Sequence, residues 1–338
     1  MTITRRTFLK THATAVGASY VALAPSLALA APISFKIGHD QAATHPVHLR
    51  LAEAAERIKL QTNGQFLLQV FANSQLGGDT DMLTQTRSGA LEMVLMPDII
   101  LGTLVPLASI NAMGFAFNSE ADIHAAMDGD LGSHIRERIV GSGLSVMKNF
   151  WENGFRQITS GTKPINHPAD LRGFKIRVPV APLWVSMFKA FGCGPTAMNM
   201  NELYSALQTK VVEGQENPFS IIESAKFYEV QKYCSVTNHV WNGFWLLMNS
   251  RRWNAVPATI QDIVQEHLNR SAMDLRADVV KQKDALQKLL AERGMVFNQT
   301  DPRPFRDALQ AAGFYAEWRQ KFGEESWAVL TKYAKAIA

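Results

Sequence analysis

The stretch Leu171-Arg-Gly-Phe-Lys-Ile-Arg-Val-Pro179 alternates apolar Phe174, Ile176 and Val178 with Lys175 and Arg177, the period of a strand. Pro179 ends the strand, because it has no N–H for the ladder. Arg177 therefore stands at a strand's carboxyl end, where open α/β sheets place their ligands. A guanidinium stays charged at any ordinary pH, and its paired N–H groups match a carboxylate in bidentate fashion. Each hydrogen bond to a charged group contributes about 1.5–3 kcal/mol. A buried cation without a partner is costly, so such a pocket is poised for an anion; the competing reading is an internal ion pair with an Asp or Glu.

Two further polar side chains stand in comparable places. Trp151-Glu-Asn-Gly-Phe-Arg156 sets Arg156 beside a tight Asn-Gly turn. Val211-Val-Glu-Gly-Gln-Glu-Asn-Pro218 ends a strand in a polar loop, and Pro218 biases Asn217 toward extended backbone. The Asn217 amide can donate to an oxygen acceptor. Asp40 closes the first strand and either reaches the same crevice or caps the next helix.

Other chemistries lack a full set of residues. His45 and His48 are three apart, with no third metal ligand nearby in sequence. Glu152, Glu213 and Glu216 have no positioned nucleophile, so no catalytic constellation forms and no enzyme is expected. Gly192-Cys-Gly194 does not open a phosphate-binding helix in the required spacing. Neither a metal nor a cofactor is expected. Cys193 and Cys234, the only cysteines, allow either a disulfide or two buried thiols.

The elements that must hold these groups recur as strand then helix. Ile33–Gly38, Phe66–Phe71, Leu91–Met96 and Leu144–Trp151 read as strands, with helices opening at Pro46 and Asp79. This is the order of an open α/β sheet. The pattern restarts after about residue 155. Strands are expected at Phe155–Thr159, Phe174–Val178, Pro195–Met198 and Val211–Glu213, with extended segments at Tyr228–Thr237 and Phe244–Asn249. Helices are expected at Leu183–Phe191 and Glu202–Thr209. Apolar residues from Ile260 to Leu290 keep helical spacing between Pro257 and Gly294, which predicts one helix of about 55 Å, long enough to cross two α/β domains. Two shorter helices broken near Asn269-Arg270-Ser271 are the alternative. Two such domains enclose a cleft.

At the N-terminus, Thr4-Arg-Arg-Thr-Phe-Leu-Lys10 matches the twin-arginine export pattern. An alanine-rich run to Leu29 and the small residues Ala28 and Ala30 follow, so residues 1–30 read as a signal peptide. That segment carries three basic residues and no acid, which takes the formal net charge of the 338-residue chain from +4 to +1 for the remainder. Nothing in that balance argues for nucleic acid.

Pro168-Ala-Asp-Leu-Arg-Gly-Phe-Lys-Ile-Arg-Val-Pro179 resembles the PADLKGLKIRVP segment of the solute-binding proteins of TRAP (tripartite ATP-independent periplasmic) transporters. Ser74-Gln-Leu-Gly77, Asn153-Gly-Phe-Arg156, Glu202-Leu-Tyr-Ser-Ala-Leu-Gln208 and Gly214-Gln-Glu-Asn-Pro218 continue the likeness in order across the chain from Ile33 onward. The resemblance implies a two-lobed periplasmic-binding-protein-like α/β fold with a cleft and a long helix spanning both lobes. Lobe I is then 31–154 plus 243–282, and lobe II 155–242 plus 283–338. It implies a periplasmic receptor, monomeric by default, that delivers an organic acid to membrane permease subunits. Arg177 takes the carboxylate grip, with Arg156 and Asn217 as second and third contacts. Where sialic-acid-binding relatives carry polar residues, this chain has Pro97 and an apolar neighbourhood, and Met200 replaces a Phe. With Trp151, Trp241 and Trp245, these departures suggest a monocarboxylate with an apolar or aromatic body. A periplasmic enzyme exported folded, or a sensing module of the same fold, are the competing functions.

Overall fold

A computed structural model describes residues 31–337. The twin-arginine pattern and the apolar run after it lie outside the described residues. Twelve strands form two six-stranded sheets. The first contains β1 (Ile33–Gly38), β2 (Phe66–Phe71), β3 (Met93–Pro97), β4 (Leu144–Val146), β5 (Trp151–Phe155) and β11 (Trp241–Asn249). β1 runs parallel to β2 and β3, while β11 runs antiparallel to β3, β4 and β5. The second sheet has the order β12 (Val296–Gln299), β10 (Tyr233–Val236), β6 (Gln157–Ser160), β9 (Gly214–Asn217), β7 (Lys175–Val178), β8 (Gly194–Ala197).

The chain passes directly from the first sheet to the second at Arg156, the one residue between β5 and β6. It returns between β10 and β11, and the Arg156 N–H donates to the Val240 carbonyl at 2.8 Å, so the two crossings lie side by side. A third connection is the helix Ala258–Glu292, unbroken over 35 residues. Its Val264, Leu268 and Leu275 belong to the core under the first sheet. Leu290, one face further along, joins Leu203, Ile222 and Cys234 under the second. The expected spanning helix is therefore present, with Pro257 as its N-cap.

Several expected elements fall elsewhere. Leu144–Trp151 is two strands, β4 and β5. The expected strand at Val211–Glu213 lies instead at Gly214–Asn217: Lys210 turns the chain at φ 59° and Val211 is exposed, so pairing with β6 begins only at Gly214. Cys193 and Cys234 are both buried free thiols in different core clusters.

The register between β5 and β11 shifts at Asn242/Gly243. At this irregularity a side chain on Gly243 would collide with the Trp151 carbonyl and the Phe150 ring, so backbone and aromatic core approach only because no Cβ is there. Gly243→Ala is expected to destabilise the protein by about 1–3 kcal/mol or more. An unchanged denaturant midpoint would contradict this packing.

Candidate functional site

The carboxyl ends of strands from both sheets converge on one small cavity, of about 20 Å³. The first sheet contributes Asp40 and Gln41 after β1, and Pro97, Ile99 and Ile100 after β3. Asp79, first residue of the helix Asp79–Ser88 that follows β2, stands beside them. The second sheet contributes Arg177 from β7, Pro179 just beyond it, and Asn217, the last residue of β9. Asn153 and Arg156 enter from the crossing, Phe244 from β11, and Met200 and Ile221 from the starts of two helices. This convergence follows from strand direction, because parallel strands deliver their following loops to a common edge.

Arg177 is buried, and its Nε and Nη2 donate to the Met198 carbonyl at 3.0 and 2.7 Å. Its other N–H groups, both on Nη1 and one on Nη2, have no hydrogen-bond partner among the described residues, and no carboxylate there forms a salt bridge with it. Burial pulls its pKa down to about 10, against the favourable field of Glu216. It remains a cation at neutral pH.

Arg156 is arranged differently. Its Nε and Nη2 grip Glu216 in a fork at 2.5 and 2.9 Å, both residues being buried. Nη2 also donates to Asn217 Oδ1 at 2.8 Å, and Nη1 to Asn242 Oδ1 at 3.1 Å. The charge of Arg156 is thus met internally, which is the competing reading that sequence alone left open for an arginine here. His239, on the returning crossing, reaches Glu216 Oε2 at 3.0 Å. Burial alone would raise the Glu216 pKa, but Arg156 and His239 outweigh it and hold the carboxyl well below its usual range.

Asn217 keeps its place at the cavity with one amide hydrogen given to Gln215 Oε1 at 2.6 Å. Asp40 is half-buried, and its Oδ1 accepts from Gln41 Nε2 at 2.7 Å. Burial raises the Asp40 pKa to about 6, opposed by Gln41 and by the two arginines. Met200 and Pro97 lie on the wall of this cavity. The tryptophans do not. Trp151 is fully buried in the core beneath the first sheet. Trp241 donates from Nε1 to Glu152 at 2.6 Å and packs on Phe150, while Trp245 stacks edge-on against the same ring. β5 and β11 are covered on both faces, so these rings fill core.

Sequence reasoning missed Glu216 as the partner of Arg156, and Gln41, Asn153, Ile99, Ile100, Ile221 and Phe244 as wall residues. Asp79 was visible only as an acid at a helix start. Its position two residues after Ser74-Gln-Leu-Gly77, a segment resembling a known ligand-binding family, was the available signal.

Residues 37–320 match the family described as bacterial extracellular solute-binding protein, family 7 (DctP). The 2,3-diketo-L-gulonate-binding periplasmic protein YiaO of Escherichia coli is 29% identical over 82% of this chain and 84% of its own. The sugar acid binding protein DctPAm of Advenella mimigardefordensis, solved with galactonate, has a TM-score of 0.86 at 27% identity, covering 91% of this chain and 99% of that one. A TRAP periplasmic solute binding protein of a Polaromonas species, bound to D-erythronate, has a TM-score of 0.84 at 29% identity over 88% and 98%. With a family match over most of its length and the overall fold of these solved neighbours, the chain belongs to bacterial extracellular solute-binding protein family 7 and has the two-lobed fold of TRAP periplasmic receptors.

Proposed function

We propose that this protein captures one small organic acid in the cleft, holding its carboxylate on Arg177, and delivers it to the membrane subunits of a TRAP transporter. The observation that carries the reading is Arg177 itself: a buried cation with three uncommitted N–H groups, at the meeting point of two sheets. A bidentate carboxylate satisfies both its charge and its geometry. Relatives whose names or bound molecules are organic acids support the class.

The same site favours a single carboxylate. Glu216 already meets the charge of Arg156, and Asp40 and Asp79 face the cavity from the other wall, so a second carboxylate would meet like charge. Arg156 then acts chiefly by positioning Asn217, whose remaining amide hydrogen reaches the anion, and keeps one Nη1 hydrogen for the guest. Ile99, Ile100, Met200, Ile221 and Phe244 supply an apolar wall for the ligand body. With the tryptophans in the core, the body is compact and aliphatic, and Asp40 offers an acceptor for a hydroxyl. A cavity of about 20 Å³ holds roughly one water, so entry requires the walls to part.

The lobes in this reading are 31–154 plus 243–282 and 155–242 plus 283–338, hinged at Arg156 and Val240. The twin-arginine pattern at Thr4–Lys10 supports export of the folded chain to the periplasm, where a monomer would meet its permease.

Calorimetry with a panel of galactonate, D-erythronate, succinate and short aliphatic, keto and aromatic acids tests this. A monocarboxylate is expected to bind best, and Arg177→Ala to weaken it roughly 10²–10⁴-fold, from two lost charged hydrogen bonds. Unchanged affinity in that variant would remove Arg177 as the anchor. Glu216→Gln should differ in kind: it leaves Arg156 buried without a counter-charge and costs about 3–5 kcal/mol of folding stability. A wild-type-like unfolding midpoint for Glu216→Gln would refute the assigned pairing.

A further inference from the structure

Asp79 faces the cavity with its side chain buried, and its Oδ1 has no hydrogen-bond partner. No salt bridge to it exists among the described residues. The charged groups around it come from every neighbouring element. Asp40 approaches from the end of β1 and Arg177 from β7. Beyond them lie Arg156, Glu216 and His239, already joined to one another. On its own helix, Asp81 turns back to accept the Gly78 N–H at 3.2 Å. Asn199, which packs over Gly78 and donates to Thr80 Oγ1 at 3.3 Å, is neutral.

One uncommitted positive charge, Arg177, therefore faces two acids before any guest arrives. An incoming carboxylate makes three acids around that one cation, in a cavity of about 20 Å³. Like charges that close cannot all remain ionised, so a proton must be held. Asp40 is the weaker holder, being half-exposed and already accepting from Gln41. Asp79 is the stronger one, since its free oxygen can carry the hydrogen toward the cavity. Burial, then the charge of Asp40, push its pKa well above the usual aspartate range, with Arg177 opposing.

We propose that Asp79 carries a proton in the closed site and donates it in a hydrogen bond to the carboxylate held by Arg177, so that capture of the anion takes up one proton from solvent. This deepens the receptor reading above and rests on it. No bond other than O–H is made: the proton leaves water, joins the Asp79 carboxyl and bridges to the ligand oxygen. Affinity then falls with rising pH, up to tenfold per pH unit above the pKa of Asp79 in the free protein.

The test is calorimetry of the best-binding acid of the panel in buffers of different ionisation enthalpy, between about pH 6 and 8. Uptake approaching one proton is expected for the parent, and none for Asp79→Asn, whose pH profile flattens. Binding without proton uptake, or uptake unchanged in Asp79→Asn, overturns the proposal while leaving the receptor reading intact. Carboxyl ¹³C NMR of the parent saturated with that acid is a second arm: Asp79 is expected to stay protonated across this range in the complex, and its ionisation there overturns the proposal. Failure of every acid in the panel to bind overturns the receptor reading, and this proposal with it.

Discussion

The structure depends on how two buried arginines at one edge are treated unequally. A buried guanidinium must find negative charge, and removing its partner costs far more than the pair contributes. Arg156 finds Glu216 in a two-pronged contact at the only residue between β5 and β6. Because His239, on the returning crossing, shares that carboxylate, both covalent crossings are tied to β9 by one ionic cluster. Arg177 has only a backbone carbonyl. The first arginine is thereby structural, and in the proposed reading the second is left for the ligand.

The cluster extends backwards into the first sheet. Asn242 accepts from Arg156 and Asn153 and donates to Asp98, which also accepts from Asn111 at 2.6 Å. Asp98 sits fully buried at the end of β3, and burial raises its pKa to about 7 despite those amides. It points away from the cavity while its neighbours Pro97 and Ile99 line it. One strand-to-helix junction thus anchors the crossing with one residue and lines the cavity with the next, which couples the geometry of the cavity to the geometry of the crossing.

Much of this was legible from local sequence, and the remainder depends on pairing across distance. Arg177 could be placed because strand alternation and Pro179 are both written within a few residues. The spanning helix could be read because its apolar spacing is uninterrupted and Gly294 ends it. The partner of Arg156 could not, since Glu216 lies 60 residues away and only the β6–β9 register brings it close. The tryptophans were misplaced for a related reason. Fully covered strands such as β5 and β11 lack an in–out alternation, so their sequence does not tell which side chains face core and which face a cleft. Asp79 lay between these cases: a helix-start acid looks like a cap, and only the opposing wall reveals that its oxygen is unpartnered.

In the proposed reading, with walls that part and meet, those unpartnered groups also let a guest drive closure. In the closed arrangement Arg177 and Asp79 are both buried with unused hydrogen-bonding capacity, each a desolvation cost of order 1–3 kcal/mol or more. The parted arrangement returns both groups to water, so without a guest it is relieved of that cost. A carboxylate between the walls accepts from both, cancelling the penalty only when the walls meet. A ligand shifts a conformational equilibrium only by its difference in affinity for the two states, and here that difference resides in two side chains from opposite walls. Gly154, at φ 103° in β5, and the register shift at Asn242/Gly243 lie beside the paired crossings, where such a movement would bend the chain. In that reading, the cost left unsatisfied in the cavity is what makes the closed form conditional on its ligand.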